Sequence, residues 1–337
     1  MSAKRRIIPV FVPHLGCPND CVFCNQRRIS GAIEPANAET VKAAIEAAGV
    51  SEGDCSAWEL AFYGGSFTAI ERNIRLELLK ASESFTARGG VLRLSTRPDC
   101  ITAEILDELR NASVKTIELG CQSMDDDVLM KSGRGHTEED TVKAVEIIKS
   151  YGFELILQMM TGLPGDTLEK SLQTAQKIAK LKPNGVRIYP TVIIRDTPLC
   201  DMWRSGKYNE HSVEEASIWC SEIISVFNDA EIPVIRLGLN PTDDLSGGDA
   251  LAGAYHPAFG ELVYSKLFLK KSRALLNSVQ EANKVCLGVN PGSISKMTGQ
   301  KKSNIISLKA EFGIKEIKIQ GVSELSKDEV VLISVEK

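Results

Sequence analysis

The sequence lacks long apolar runs and lacks the marks of an exported protein. No stretch of roughly 18 consecutive apolar residues occurs, which argues against an α-helical membrane span. The N-terminal segment MSAKRRIIPVFVP has no long hydrophobic region and no small-residue cleavage site, so it predicts a first strand rather than a signal peptide. We therefore expect a cytoplasmic protein without a membrane partner.

Cysteine is present, but not in a pattern typical of disulfides. The chain has nine cysteines, an odd number, and a reducing cytoplasm keeps thiols reduced. Six of them stand alone and are expected at small buried apolar positions: Cys55, Cys100, Cys121, Cys200, Cys220 and Cys286. The other three, Cys17, Cys21 and Cys24, are clustered in GCPNDCVFC.

Charge is unevenly distributed over the 337 residues, although the net charge is only −4. Residues 264–337 contain 13 Lys plus Arg against 7 Asp plus Glu, a net charge of +6, and the remainder carries −10. A basic C-terminal tail in an otherwise acidic chain indicates that this tail faces an anionic partner. A solvated lysine-rich surface is the alternative.

Strand-like and helix-like segments alternate along the first 240 residues. Six βα units in a row, with continuously apolar strands, predict an α/β protein with a parallel sheet. We expect a (β/α)6-type partial barrel because polar residues recur at the predicted carboxyl ends of strands. These lie at residues 64–66, 95–97 and 122–123 and in the TGLPG turn. The expected division is a barrel core at 1–240, a loop and helix extension at 241–283, and a small basic α+β domain at 284–337.

Four residues mark the expected ends of helices in the first 150 residues. Thr102 and Thr137 are expected at helix starts, where a threonine side chain can accept a free backbone N–H. Gly49 and Gly89 are expected to end two other helices.

The spacing C-x3-C-x2-C is compatible with more than one kind of metal site. A structural zinc site needs four protein ligands, and no second cysteine pair follows nearby, although His14 precedes the motif. Three thiolates could instead hold a [4Fe–4S] cluster and leave one iron without a protein ligand. That iron could bind a substrate or cofactor directly.

The motif C-x3-C-x-aromatic-C, with Phe23 as its aromatic residue, resembles the signature of the radical S-adenosylmethionine superfamily. The resemblance implies that Cys17, Cys21 and Cys24 ligate a [4Fe–4S] cluster whose open iron binds S-adenosylmethionine. Reductive cleavage of that cofactor yields a 5′-deoxyadenosyl radical, which abstracts hydrogen from a substrate. In FYGGSFT, the resemblance implies that Gly64, Gly65 and Ser66 bind the amino group of the methionine part.

Further motifs resemble the radical domain of the Elongator catalytic subunit and, less closely, the oxygen-independent coproporphyrinogen oxidases. They occur in the same order over roughly residues 6–270: LSTRPD, ELGCQSMDDDVL, SGRGHT, TGLPGDT, RIYPTVII, RLGLNPT and AGAYHPAFGELV. The chain ends before an acetyltransferase domain of the Elongator kind could follow, so we do not expect acetyl-coenzyme A-dependent chemistry.

The coproporphyrinogen oxidase pattern implies cofactor contacts at Ser95, Gln122, Arg134 and Gln158. Gln122 and Arg134 match that pattern in residue type, and an amide suits ribose hydroxyls while a guanidinium suits a carboxylate. Ser95 stands where the pattern has a glutamate and Gln158 where it has an aspartate.

The last of these motifs and the C-terminal tail also concern the substrate. In AYHPAFGELV, Tyr255 or His256 is a candidate hydrogen or proton donor on a loop over the barrel mouth, and a turn packed on the barrel is the alternative. The tail is expected to run as strand, short helix, loop, helix and two strands, and in that order it resembles a KH domain, whose GxxG loop binds nucleotides. Here the loop would be residues 299–302, GQKK, with lysine in place of the last glycine. A small lid or dimerisation element is the alternative.

We therefore predict a radical S-adenosylmethionine enzyme that abstracts hydrogen from an RNA base, with tRNA as the substrate class. The implied cofactors are a [4Fe–4S] cluster and S-adenosylmethionine, with an electron donor such as flavodoxin or ferredoxin. The alternative in the same superfamily is a porphyrinogen oxidase. The alternative of another class is a non-catalytic RNA-binding protein with a structural zinc.

Overall fold

The computed structural model describes residues 5–12, 17–25, 36–50, 52–240, 245–279 and 281–337, without the side chains of 245 and 246. Within these residues the chain forms two compact units, and each is described by itself. The first comprises Met1–His211 and Val226–Tyr255, and the second comprises Ser212–Ser225 and His256–Lys337. The possible zinc ligand His14 lies outside the described residues.

A parallel sheet forms the centre of the first unit. The strands up to residue 237 are β1 (Arg6–Phe11), β2 (Trp58–Tyr63), β3 (Val91–Thr96), β4 (Val114–Gln122), β5 (Glu154–Thr161), β6 (Gly185–Pro190), β7 (Val192–Ile194) and β8 (Val234–Leu237). Seven of them pair in the order β1-β2-β3-β4-β5-β6-β8, and every pairing is parallel. The sheet is a half-barrel with β1 and β8 at its two edges, which confirms the predicted partial barrel and adds a seventh strand.

Helices follow the strands, as expected for successive βα units. They are α1 (Ala38–Ala47), α2 (Arg72–Ala81), α3 (Glu83–Thr86), α4 (Ala103–Asn111), α5 (Asp126–Lys131), α6 (Glu138–Ser150), α7 (Leu168–Lys180), α8 (Pro198–Arg204) and α9 (Val213–Asp229). The side chains of Thr102 and Thr137 accept backbone N–H groups at the starts of α4 and α6, as predicted. The predicted stops Gly49 and Gly89 follow α1 and α3 and have positive φ angles of 71° and 89°.

The strands are not continuously apolar, because one face of the sheet is polar. In β3, Leu92 and Leu94 are fully buried, whereas Arg93 and Ser95 alternate with them and are only partly buried. Since successive side chains of a strand point to opposite faces, the leucines belong to the helix-covered core and the polar pair to the inward face of the half-barrel. A strand with one polar face is consistent with a sheet that curves around a polar interior.

The segment after residue 240 contains more regular structure than the predicted long loop. Strand β9 (Ala250–Gly253) pairs antiparallel with β7, and Val192 lies opposite Gly253. Gly253 has a φ of 86°, and a Cβ on it would lie 2.9 Å from the carbonyl oxygen of Thr191. Only a glycine allows the two chains to approach this closely.

Besides residues 213–225 of α9, the second unit contains a long helix, a small sheet and two shorter helices. Its further elements are α10 (Phe259–Leu276), β10 (Lys284–Val289), α11 (Ile294–Thr298), α12 (Ser303–Phe312), β11 (Glu316–Gly321) and β12 (Val330–Glu336). This order of strand, short helix, loop, helix and two strands is the predicted one. The sheet order is β11-β10-β12, with β10 parallel to β11 and antiparallel to β12.

The core of the second unit joins α10 to this sheet. Phe268 and Leu276 of α10 are fully buried and cluster with Leu287 of β10, Met297 of α11 and Leu308 of α12. Because of this shared core, α10 belongs to the same compact unit as the C-terminal strands. The expected division at residues 240 and 283 stays a prediction. Among the described residues, no helix is both long enough and apolar enough for a membrane crossing.

Candidate active site

The cysteine segment lies on the loop that follows β1 and is held by two distant backbone groups. The N–H of Val22 donates to the carbonyl of Ser132 at 3.1 Å, and the N–H of Leu199 donates to the carbonyl of Val22 at 2.8 Å. Within the segment, the N–H of Cys24 donates to the carbonyl of Cys21 at 3.0 Å. The segment is therefore docked on the rest of the first unit rather than free in solvent.

The three cysteines differ in their exposure. Cys17 is exposed, Cys21 is buried and Cys24 is half-buried. Over the described residues, no group of three or more His, Cys, Asp and Glu side chains has the arrangement of a metal site. The docked segment thus holds the three thiols on one short loop without presenting them as a closed ligand set.

Arg134 connects the cysteine segment to the sheet. Its side chain is buried; Nη1 donates to Sγ of Cys21 at 3.2 Å, and Nη2 donates to the carbonyl of Gly120 on β4 at 2.6 Å. Its Nε is also buried and has no hydrogen-bond partner among the described residues. The unpaired Nε is therefore a buried donor, next to the cysteine segment, that is available to a ligand.

The glycines around Arg134 leave room for the cysteine segment. Gly133 and Gly135 have φ angles of 66° and 71°, which favour glycine. A Cβ on Gly135 would lie 2.2 Å from the side chain of Asn19, and a Cβ on Gly133 would lie 3.1 Å from the carbonyl oxygen of Asp20. The motif SGRGHT, which contains both glycines, therefore packs closely against the cysteine segment.

Gly64, Gly65 and Ser66 follow β2 at the same edge of the sheet. Gly64 has a φ of 98°, which turns the chain sharply at the end of the strand. The Ser66 hydroxyl is buried, lies 3.1 Å from Oγ1 of Thr96 and accepts the N–H of Arg97 at 3.3 Å. The side chain of Ser66 thus fixes this turn to the end of β3, and the backbone of the turn remains the part available to a ligand.

The surroundings of Cys17 contain both this turn and two arginines. Although Cys17 is exposed by accessible surface, neighbouring protein atoms displace part of the water around its thiol. This partial loss of hydration raises the pKa of Cys17, and the neighbouring Cys21 raises it further. The backbone N–H of Ser66 and the guanidinium groups of Arg97 and Arg134 act on the Cys17 pKa in the opposite direction. Two cations and a backbone donor around the first two cysteines fit an anionic group such as a thiolate-ligated cluster.

Gln122 and Gln158 meet beside Arg134. Gln122 is buried at a bulge at the end of β4 with a φ of 62°, and Nε2 of Gln158 on β5 donates to its Oε1 at 3.4 Å. A Cβ on Gly120 would lie 2.7 Å from Nε2 of Gln122 and 3.5 Å from Nη2 of Arg134, so the glycine allows both side chains to converge. Ser95 lies two strands from β5, in register with Glu118 of β4.

Tyr255 and His256 lie at the junction of the two units in sequence. Tyr255 packs on the small apolar cluster of Val192 and Ile194 in the first unit. His256 begins the second segment of the second unit, where its Nδ1 accepts the N–H of Ala258 at 3.1 Å, just before α10. The ring therefore stabilises a helix start, and the donor role of both residues stays a prediction.

The sequence analysis missed a charged network on the inward face of the sheet. Arg93 of β3 contacts Oε2 of Glu59 at 2.9 Å and Oε1 of Glu118 at 2.7 Å. Arg187 of β6 contacts the same Glu118 oxygen at 2.9 Å, and the hydroxyl of Tyr63 donates to it at 3.3 Å. Charged residues at alternate positions in otherwise apolar strands were the available signal.

The ionisable groups of this network have shifted pKa values that fix their protonation states. Burial lowers the pKa of Arg93, but Glu118 and Glu59 outweigh that effect, so the pKa rises above its ordinary value. Burial and the Glu118 carboxylate raise the pKa of the Tyr63 phenol, which stays protonated. Nε of Arg93 and Nε of Arg187 are buried without a partner among the described residues. The inward face therefore offers hydrogen-bond donors to a polar ligand.

A buried histidine adjoins Arg134 in the same loop. Nε2 of His136 lies 3.2 Å from the carbonyl of Cys121, and burial together with Arg134 and Arg97 lowers the pKa of the ring to about 4. The imidazole is therefore neutral at neutral pH. Arg97 forms a two-point ion pair with Asp99, at 2.9 and 3.1 Å, and also donates to the carbonyl of Arg134.

A half-barrel with a cysteine loop, a glycine turn and a buried arginine at the carboxyl edge of its sheet is the arrangement of a cofactor-binding enzyme. The Radical SAM superfamily profile matches residues 11–178, and the Radical_SAM C-terminal domain profile matches residues 183–268. The chain belongs to the radical S-adenosylmethionine superfamily. Members of this family are enzymes that bind a [4Fe–4S] cluster and S-adenosylmethionine.

Within the superfamily, the chain is similar to Elongator-type proteins. It is 31% identical over 191 residues to the tRNA uridine(34) acetyltransferase of Methanocaldococcus jannaschii, covering 56% of this chain and 34% of that protein. It is 33% identical over 140 residues to Elongator complex protein 3 of Mus musculus, covering 40% and 25% of the two chains. The chain thus spans about a third of the length of the first curated relatives that it matches.

Two further likenesses cover more of both chains. An uncharacterized protein of Methanocaldococcus jannaschii is 30% identical over 220 residues, which is 61% of this chain and 67% of that protein. The solved structure of the archaeal Methanocaldococcus infernus Elp3 with an N-terminal deletion has a TM-score of 0.61 at 23% identity, covering 80% of this chain and 64% of that one. At that identity the structural likeness supports the fold alone.

Proposed function

We propose that the chain abstracts a hydrogen atom from an RNA base after reductive cleavage of S-adenosylmethionine. The observation that carries the proposal is the contact between Nη1 of Arg134 and Sγ of Cys21 at 3.2 Å, formed by residues 113 positions apart. It brings the cysteine loop to the carboxyl edge of the sheet. The glycine turn and Gln122 end at the same edge.

Each residue of this edge has a distinct proposed role. Cys17, Cys21 and Cys24 would hold a [4Fe–4S] cluster, which supplies one electron to S-adenosylmethionine when both are bound. Backbone groups of Gly64, Gly65 and Ser66 would accept the methionine ammonium. The unpaired Nε of Arg134 would bind the methionine carboxylate.

Gln122 would orient the ribose of the cofactor by hydrogen bonds to its hydroxyls. Gln158 would position Gln122, since its amide donates to the Gln122 side chain. Ser95 would face the cofactor from the neighbouring strand. Its shorter side chain leaves more space than the glutamate of the coproporphyrinogen oxidase pattern.

The RNA substrate is supported by the relatives rather than by a bound molecule. The relatives named above are described as a tRNA uridine(34) acetyltransferase and as Elongator complex protein 3. The polar inward face around Arg187 and Tyr63 supports a substrate rich in hydrogen-bonding groups. We propose tRNA as the substrate and a flavodoxin or ferredoxin as the electron donor. The cytoplasmic location stays a prediction.

The experiment is an anaerobic assay of the reconstituted chain. The protein is loaded with iron and sulfide, mixed with dithionite and S-adenosylmethionine, and 5′-deoxyadenosine is measured with and without bulk tRNA. We expect about four iron and four sulfide per chain, and a product yield that rises with tRNA. Product formation that ignores tRNA would refute the RNA substrate and leave the radical chemistry in place.

A cysteine variant and its control separate the cluster from a structural zinc. Cys21→Ala should lose iron and product while the unfolding temperature stays near that of the wild type. Cys55→Ala removes a fully buried thiol from another loop of the same unit and should keep both iron and product. One bound zinc, with unfolding of Cys21→Ala, would refute the cluster.

A further inference from the structure

The loop between α11 and α12 has an unusual backbone for the residues it contains. Gly299, Lys301 and Lys302 have φ angles of 76°, 51° and 63°. Only glycine takes such angles freely, so two successive lysines in this region are strained. Asn304 anchors the loop to α10 and α11, because its Nδ2 donates to the carbonyls of Ser265 and Met297 at 2.8 and 3.1 Å.

The two lysines present unpaired charge. Lys301 and Lys302 are exposed, and among the residues that the structure describes neither ammonium group has an acidic partner. The surrounding sequence adds no counter-charge, since residues 282–310 contain five lysines and no aspartate or glutamate. Lys284 and Lys296 contact glutamates of other elements at 3.6 and 3.7 Å. The uncompensated charge therefore lies at Lys301 and Lys302 and points to an anionic partner.

Apolar side chains and a free strand edge lie beside the loop. Ile294 of α11 is 37% exposed and Ile306 of α12 is 62% exposed, although both flank a well-packed core. A Cβ on Gly321, the last residue of β11, would lie 3.6 Å from Cδ1 of Ile294, so Ile294 adjoins the end of that strand. In the described part of the chain β11 pairs only with β10, which leaves its other edge with unpaired backbone groups.

These features fit one class of partner. Phosphates of a single strand would lie at Lys301 and Lys302, bases would cover Ile294 and Ile306, and base edges would reach the backbone of β11. A duplex would keep its bases stacked and could use only the charges. We propose that the surface formed by residues 299–302, Ile294, Ile306 and the edge of β11 docks single-stranded RNA, an inference that deepens the RNA substrate proposed above.

The test is RNA binding by the full chain with the lysines of the loop removed. Lys301→Gly/Lys302→Gly deletes both charges and relieves the backbone strain, so the variant should fold. Fluorescence anisotropy with a labelled single-stranded oligonucleotide gives the affinity at several salt concentrations. Each phosphate contact contributes about 0.7 to the slope of log K against log salt on a single strand, so the slope should fall by about 1.4. At 0.1 M salt this corresponds to a loss of up to about 25-fold in affinity.

The matched control removes the same charge from the other end of the sheet. Lys315 directly precedes β11 and Lys337 directly follows β12; both are exposed, and neither has an acidic partner in the described part of the chain. Lys315→Ala/Lys337→Ala should leave affinity and slope close to the wild type. Equal losses in both double variants would mean that net charge alone attracts RNA, and would overturn the proposal. Equal binding of a duplex of the same sequence by the wild type would also overturn it.

A second readout separates this inference from the proposed function. Formation of 5′-deoxyadenosine without RNA is measured on the same preparations and should be the same in both double variants and the wild type. If the wild type cleaves the cofactor but the loop variant binds RNA unchanged, the docking surface is refuted and the radical chemistry stands. If no preparation cleaves the cofactor, the proposed function fails, and the anisotropy data still decide the docking surface.

Discussion

Replacing Glu118 with glutamine tests the charged network on the inward face of the half-barrel. Glu118 is 2% exposed, and its Oε1 is shared by Arg93 at 2.7 Å and Arg187 at 2.9 Å. Glutamine has almost the same shape but carries no charge. Two buried guanidinium groups therefore lose the carboxylate that both of them contact.

The magnitude follows from what each arginine retains. Arg93 keeps its contact with Glu59 at 2.9 Å. Among its described partners Arg187 keeps the hydroxyl groups of Tyr63 and Tyr189, at 3.2 and 3.3 Å, and its position over the Tyr63 ring, but no carboxylate. A buried charge without compensation destabilises a protein by about 3–5 kcal/mol. Since each kcal/mol shifts the unfolding temperature by about 2–4 °C at this size, we expect a fall of roughly 10 °C.

Calorimetry of the full chain under anaerobic conditions measures this change. The double variant Glu118→Gln/Arg187→Gln removes both members of the pair and should recover more than half of the loss, because no unpaired charge remains. Glu139→Gln is the surface control. It breaks an exposed pair with Lys143 at 2.7 Å and should shift stability by about 0.5 kcal/mol at most.

Two results would refute the reasoning about Glu118. The first is an unfolding temperature of Glu118→Gln within about 2 °C of the wild type, which corresponds to less than about 1 kcal/mol. The second is a double variant less stable than the single one, because it would mean that Arg187 stabilises the sheet by packing rather than by its charge.

Two further substitutions test how the candidate site is assembled. Gly135→Ala places a methyl group 2.2 Å from the side chain of Asn19 and should displace the cysteine loop and lower the iron content after reconstitution. Gly152→Ala has a similar φ of 81° but open space around it, so it should cost about 1 kcal/mol of stability and keep its iron; equal iron loss in both would contradict the packing argument. Thr96→Val removes the hydroxyl that contacts Ser66 at 3.1 Å and Thr68 at 2.5 Å. It should weaken S-adenosylmethionine binding severalfold, measured by equilibrium dialysis, with unchanged iron, and unchanged binding would show that the glycine turn does not need this anchor.

The sequence was sufficient for features that depend on neighbouring residues. The caps Thr102 and Thr137 and the stops Gly49 and Gly89 lie where predicted, because a cap needs only a few adjacent residues. The order of βα units and the superfamily were likewise accessible, since both rest on local patterns. The roles of the cysteines and of the cofactor-binding residues stay predictions.

The remaining errors have a common physical origin. The predicted loop after residue 240 contains β9, which forms only by pairing with β7, so that Val192 lies opposite Gly253 about 60 positions later in the chain. The charged network of β2 to β6 was not predicted. The alternation of apolar and polar side chains along one strand shows which residues share a face, but not which residues of different strands come into contact.

By itself, the sequence determined the cysteine spacing, the alternation of strands and helices, and the position of the basic loop at residues 299–302. Only the tertiary structure decided that Arg134 contacts Cys21 and that Arg187 shares Glu118 with Arg93. It also decided that β11 runs parallel to β10 and that, among the described strands, nothing pairs with its other edge. The reason is distance along the chain: caps and turns are settled by adjacent residues, whereas these contacts form only when the whole sheet brings distant segments together.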